Sequence, residues 1–356
     1  MNKFKKLSFF WIVSIILVCS FHAVIYFMYV HKVFPESPMT IGDLGRMSYA
    51  TDLLDLRENK IDLKKLHLES NEYKDDNEIE MITIGDSFSN GGGGGLNSYY
   101  QDYIATEFNL NVLNIKGTSN FMEIASLLLN SGQLDNMKTR YVLIESVQRF
   151  ALQRFAINNI DFEKSEIYPL TKQEDNKNVK KASDGVGIIN NLNLNALSYN
   201  LKFKMNGYGK ISSSIYREKL NQNLFSIKIG NELLFYYEDL KFIEQESKER
   251  IELLNDNFNK LSHALAKKNI KLIFMPAVDK YNLYRPYIVS NIYNESIFFE
   301  YLETLPKDYI FINTKKILSK ELEKGEKDIF YVDDTHWSYK ASKTIIKDES
   351  FKNIFN

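Results

Sequence analysis

From residue 79 onward, short apolar runs alternate with stretches of helical periodicity, and few architectures accept that rhythm. Residues 79–84, 112–115, 141–144, 271–275 and 309–312 have the length and composition of strands. Residues 98–108, 121–131, 251–266 and 315–324 carry apolar side chains at helical spacing, and Ser338 opens a last helix after the run 329–332. The repetition predicts an α/β domain with a mostly parallel sheet and helices on both faces. In such a sheet ligands bind beyond the carboxyl ends of the strands.

The first run ends at Gly85-Asp86-Ser87, followed by five glycines at 91–95. A serine at a strand end can act as a nucleophile when a base, itself oriented by a third group, takes its proton. The competing reading is structural, because Asp and Ser are also favoured helix caps. Asp333-Asp334-Thr335-His336-Trp337 supplies both missing parts, since His336 has acids two and three residues before it at a strand-to-helix turn. His22 and His31 lie in or beside an apolar run. His67 and His263 have no acid beside them in sequence and read as surface or packing residues. The glycines lack the Lys-Ser/Thr of a phosphate loop and the directly following helix of a dinucleotide fingerprint. They read either as a plain loop or as a side-chain-free wall beside Ser87. Scattered histidines and a single cysteine give no metal-ligand cluster, and no cofactor is expected.

Gly85-Asp86-Ser87 resembles the first block of the SGNH (GDSL-type) hydrolases, and Asp334-Thr335-His336-Trp337 resembles the D-T-H-W block of the SGNH-like alginate O-acetyltransferases. Glu145 with Arg149, and Met275-Pro276 with Lys280 and Tyr281, add weaker matches. Here the Asp/His block follows the serine, whereas in the alginate enzymes it precedes it. The resemblance spans about residues 79–347 and implies a flavodoxin-like three-layer sandwich. It assigns Ser87 as nucleophile, His336 as base and Asp334 as orienter, with Asp333, at the spacing of ordinary SGNH hydrolases, as the alternative. The oxyanion donors would be the amides of Ser87 and, from the second block, Gly117. Arg149, Lys280, Tyr281 and Trp337 would contact substrate, although Glu145 and Arg149 also fit a simple i, i+4 ion pair. The Gly-x-Asn-Asp of the third block is missing, which argues against a standard esterase oxyanion hole.

The amino-terminal region sets the location. Residues 1–6 hold three lysines and no acid, and residues 7–30 are uncharged and mostly apolar. At about 1.5 Å per residue that run exceeds the ~30 Å hydrocarbon core. No small-residue cleavage site follows, and Val18 before Cys19 disfavours lipoprotein processing. The expectation is an uncleaved single-pass anchor in a bacterial cytoplasmic membrane, with the amino end inside and the domain outside. Residues 31–77, with Pro35, Pro38, a short helix near 47–56 and a charged run through Asp75 and Asp76, read as a solvated tether. Residues 78–356 form the domain, with a polar insertion at about 150–240 that is expected to cover the site. Cys19 is the only cysteine, so stability rests on the core, to which 22 Tyr and 24 Phe contribute. A net charge of −1 gives no case for nucleic acid.

The resemblance implies acyl transfer, most simply of acetyl, to hydroxyls of a cell-surface or secreted polysaccharide. A multi-spanning membrane O-acyltransferase would supply the acyl group. A carbohydrate esterase with the same triad and a non-catalytic glycan-binding or assembly subunit are the alternatives.

Overall fold

The computed structural model describes residues 3–35, 41–57, 62–74, 77–117, 120–170, 186–290 and 292–355. Pro38, Asp75, Asp76, Thr118 and the polar stretch 171–185 lie outside the described residues.

The described strands are β1 (Leu68–Glu69), β2 (Met81–Gly85), β3 (Val112–Lys116), β4 (Tyr141–Val147), β5 (Gly209–Lys210), β6 (Ile215–Lys219), β7 (Glu232–Tyr236), β8 (Lys271–Ala277) and β9 (Ile310–Phe311). Six of them form one sheet in the order β1-β3-β2-β4-β8-β9, and every pairing in it is parallel. Strands β2 and β4 are buried along their whole length, which explains why their sequences are almost continuously apolar. The chain leaves β2 toward β3 and then returns across it to β4. The carboxyl end of β2 is therefore a topological switch point, where an open α/β sheet forms a crevice.

Helix Tyr100–Phe108 packs on β3 and on helix Tyr339–Lys347, which in turn meets Thr314–Glu323. A second group comprises Phe121–Asn130 on β2 and β4, Gln148–Phe155 on β4, and Lys248–Ala266 on β8. Between this group and the sheet, Phe155, Phe258 and Phe274 interlock, with the Phe258 and Phe274 rings stacked at 4.0 Å. Truncating one such ring to alanine costs about 3–5 kcal/mol.

Residues 150–240 differ from the expected polar loop. Their described part contains helix Leu192–Asn206 and the antiparallel sheet β5-β6-β7. Strands β6 and β7 pack on the short helix Asp43–Ser48, and Arg217 of β6 pairs with Asp52 at 2.6 Å and with Glu232. None of the hydrogen bonds of Ser87, Asp334 or His336 found among the described residues comes from this region. The run 329–332 joins no strand of the main sheet. It makes one antiparallel bridge, Phe330 to Trp337, that folds the Asp/His loop back on itself.

Lys3–Val33 is the one helix among the described residues that is long and apolar enough to cross a membrane, with a mean hydropathy of 2.3. Its last turns are buried: Tyr26, Tyr29, Val30 and Val33 pack with Ile41, Tyr49 and Ala196.

Candidate functional site

The turn after β2 is built by exclusion. A Cβ at Gly85 would collide with Ser89 Oγ, so only glycine lets the chain turn there. Asp86 then anchors the turn to β4: its Oδ2 accepts from Val147 N at 2.9 Å and from Arg154, and its Oδ1 accepts from Phe88 N at 3.2 Å. Residues 86–93 continue as turns, and the next helix starts only at Tyr100, so Asp86 and Ser87 do not cap a helix. Below the turn, Glu145 Oε2 accepts from Asp86 N at 3.1 Å and from Ser89 Oγ at 2.9 Å. Burial, followed by the nearby charge of Asp86, pushes the Glu145 carboxyl well above the usual range. Ser87 itself is exposed.

Across 249 residues of sequence, His336 Nε2 lies 2.7 Å from Ser87 Oγ. His336 Nδ1 lies 2.7 Å from Asp334 Oδ1, which also accepts the His336 backbone N–H at 3.0 Å. That double contact fixes both ring orientation and tautomer: Nδ1 carries the hydrogen toward Asp334, and Nε2 faces the serine with its lone pair. Desolvation is the largest single influence on His336 and favours the neutral ring. The hydrogen bond to Asp334, its charge and that of Asp43 together outweigh it and raise the pKa above the ordinary histidine value. Asp334 is held well below the usual carboxylate range, because the bond to His336 and the charges of His336 and Arg57 overcome its burial.

The two acids are separated by their partners. Asp333 turns away from the imidazole, accepting from Arg57 at 2.8 Å and from Gly42 N at 2.9 Å. Asp43 completes the loop, accepting from Thr335 N at 2.8 Å and Thr335 Oγ1 at 2.5 Å. The ligand atoms of Asp43, Asp334 and His336 lie within 4.8 Å of one another. Each carboxylate oxygen of Asp43 and Asp334, and Nδ1 of His336, already has a hydrogen-bond partner.

Arg57 escaped the sequence reading. Its guanidinium reaches Asp333, Asp334 at 3.3 Å and the carbonyl of Gly93 at 2.6 Å, and lies 4.1 Å from the Tyr331 ring centroid. One side chain thus ties the Asp/His loop to the glycine loop. Gly42, Asp43, Asp55 and Arg57 all belong to the stretch expected to be a solvated tether. They instead brace 332–335 through long-range bonds that no local pattern announces. The glycines are equally committed. A Cβ at Gly92 would strike the His336 ring, and Gly93 lies against Tyr331 and His336. The side-chain-free wall lies on His336 as well as beside Ser87.

Four other expectations are corrected. Gly117 N–H donates to Gly85 O at 2.9 Å, extending the β2–β3 pairing by one bond, so it is not free to hold an oxyanion. The Ser87 amide has no acceptor among the described residues. Arg149 does not pair with Glu145; it is half-buried and committed to Asp279 at 2.7 Å and Asp239 at 3.3 Å. Lys280 is 1% exposed and donates to three carbonyls, those of Tyr331, Val332 and Asp334, at 2.7, 2.8 and 3.0 Å. Desolvation lowers its pKa to about 8. Tyr281 and Trp337 are also buried; Tyr281 donates to Asn294 O, and Trp337 packs edge-on to Phe88. The buried side chains of Lys280, Tyr281 and Trp337 have no surface to offer a substrate, and Lys280 supports the loop that carries Asp334 and His336.

No family model matches the chain, and no curated protein matches it.

Proposed function

We propose that this protein is a membrane-anchored SGNH-like O-acyltransferase, acting on hydroxyls of a surface or secreted polysaccharide. The observation that carries the reading is the Ser87–His336–Asp334 line, with both contacts at 2.7 Å. The parallel sheet, its two helix groups and the serine beyond β2 support the three-layer SGNH-type sandwich.

In the proposed reaction His336 Nε2 takes the Ser87 Oγ proton as the oxygen attacks the donor's acyl carbon. The tetrahedral oxyanion then collapses, and the donor's leaving group departs with the proton from His336. An acceptor hydroxyl next gives its proton to Nε2 and attacks the acyl-serine; the acyl–Oγ bond breaks as Nε2 passes that proton to Ser87 Oγ, releasing the new ester. The charge on Asp334 stabilises the imidazolium of each half-reaction. The amide of Ser87, which has no acceptor among the described residues, is the proposed oxyanion donor. Activated acyl donors such as acetyl-coenzyme A are made in the cytoplasm, and one apolar helix offers no polar passage. A multi-spanning membrane acyltransferase is therefore the proposed donor.

The esterase reading keeps the same three residues and replaces the sugar by water. The test is to give the detergent-solubilised full chain a small activated ester with and without an oligosaccharide. Ser87-dependent acylated sugar supports transfer. Brisk hydrolysis without acylated sugar replaces it with the esterase. No Ser87-dependent turnover in either assay leaves the non-catalytic reading.

A further inference from the structure

Helix Leu192–Asn206 is apolar on two opposite faces, and only one of them is accounted for by packing. On the inner face Ala196 is buried, Asn200 donates to Tyr49 O at 3.3 Å, and Phe203 lies under the Arg217 guanidinium at 3.7 Å. Leu194, Leu201 and Met205 fall on the outer face, since about 100° per residue brings i, i+7 and i+11 into one stripe. They are 56%, 47% and 81% exposed, and Ile188 and Ile189 just before the helix are exposed too. Exposed Lys202 and Lys204 flank the stripe, one on each side.

The occupant of that face follows from what the helix is fastened to. Asn193 Nδ2 lies 2.8 Å from His22 Nδ1 and 3.4 Å from His22 O. His22 is inside the apolar run 7–30, and about 20 residues of such a helix cross the ~30 Å hydrocarbon core. Counted from the lysines at the amino end, the core ends near Tyr26, with His22 about 6 Å beneath its boundary at 1.5 Å per residue. The amino end of helix Leu192–Asn206 is thereby pinned just inside the hydrocarbon boundary.

We propose that Ile188, Ile189 and Leu194, at the amino end of helix Leu192–Asn206, are a second, interfacial contact with the lipid bilayer. This rests on the reading of Lys3–Val33 as a membrane span. From Asn193 at His22 the helix climbs to Asn200 at Tyr49, whose ring packs with Phe34, so it rises out of the bilayer alongside the span. Ile188, Ile189 and Leu194 enter the acyl boundary, with the Ile188 carbonyl held 2.8 Å from Asn193 Nδ2, and Lys202 and Lys204 lie further out toward lipid phosphates. The domain is then seated on the membrane at two points, with Ser87 at a fixed height and orientation.

The test uses the full chain in phosphatidylcholine/phosphatidylglycerol proteoliposomes, with Cys19→Ser removing the only cysteine. Single nitroxide labels go on Ile189→Cys and Leu194→Cys, on Leu17→Cys in the span, and on Val289→Cys, which is 60% exposed on the domain. Collision with oxygen reports lipid, and collision with a water-soluble nickel chelate reports solvent. The proposal requires the labels at 189 and 194 to match 17, with high oxygen and low nickel accessibility, while 289 shows the reverse. Labels at 189 and 194 that match 289, while 17 still reports lipid, overturn it. So does shielding of 189 and 194 from both reagents, which means a protein surface covers them. A nickel-accessible label at 17 instead removes the membrane span, and the interfacial contact with it.

Discussion

Two histidines in this molecule are built almost identically, and only one can serve as a base. His67 Nδ1 lies 2.6 Å from Asp102 Oδ1, which also accepts the His67 backbone N–H at 2.8 Å. His336 has the same double contact with Asp334. The difference lies at the far nitrogen. His336 Nε2 meets the hydroxyl of Ser87, whereas His67 Nε2 faces a second carboxylate, Glu69, at 3.6 Å. Burial pulls His67 toward neutrality, but the hydrogen bond to Asp102 and the close carboxylates of Asp102 and Glu69 overcome it and lift the pKa to about 9. At neutral pH His67 is thus a buried cation locking β1 to helix Tyr100–Phe108. A His–Asp pair alone therefore does not mark an active site. The partner of the second nitrogen decides between strut and base.

The largest separation between the two should come from removing each imidazole. His336→Ala is expected to lower Ser87-dependent turnover by about 10⁶-fold, the scale seen when a triad histidine is lost. His67→Ala should leave turnover per folded molecule unchanged. Steady-state assays normalised to folded protein check both, and a His67 effect on turnover matching that of His336 would erase the distinction.

Next comes the orienting acid. Asp334→Asn should cost about 10⁴-fold by leaving the wrong tautomer. The same change should move the acidic limb of the rate profile to lower pH, because the folded pKa of His336 is raised by Asp334. Asp334→Ala should harm turnover more than Asp333→Ala, whose carboxylate holds Arg57 and Gly42 rather than the ring. The opposite ranking in kinetic assays would transfer the orienting role to Asp333.

Stability should respond in the other direction. Losing the His67 cation leaves two carboxylates without their partner, a change worth about 3–5 kcal/mol in denaturant unfolding. With a folded pKa of about 9, raised above the unfolded value, His67 stabilises fully below pH ~6.5, and this contribution fades as pH rises through about 9. The wild type should lose stability across that window, and His67→Ala should not show the same slope. The smallest effect belongs to Glu69→Gln, since Glu69 is partly exposed: about 1 kcal/mol or less, with the fading of stability moved to lower pH. An unchanged slope in Glu69→Gln would show that Asp102 alone fixes the charge.

The sequence carried the site's chemistry further than its support. Ser87 sits in one compact block at the end of β2, and Asp334 and His336 sit in another in a loop before a helix, where residue type and spacing are local information. The strands β2, β3, β4 and β8 were legible for the same reason, because burial on both faces writes an unbroken apolar run. Arg57, Asp43 and His67 were not legible, since the partner that orients each lies far along the chain. His67 was read as unframed because Asp102 is 35 residues away. Gly117 misled for a related reason: its amide looks free at a strand end until β2 and β3 are placed side by side.

The most direct test of the central claim is mass spectrometry of the Ser87 peptide after rapid quenching with an activated acetyl ester. The account predicts an acetyl group on Ser87 that forms in the wild type, is discharged on adding an acceptor oligosaccharide, and fails to form in His336→Ala. Equal labelling of wild type and His336→Ala, or turnover that persists in Ser87→Ala, would contradict it.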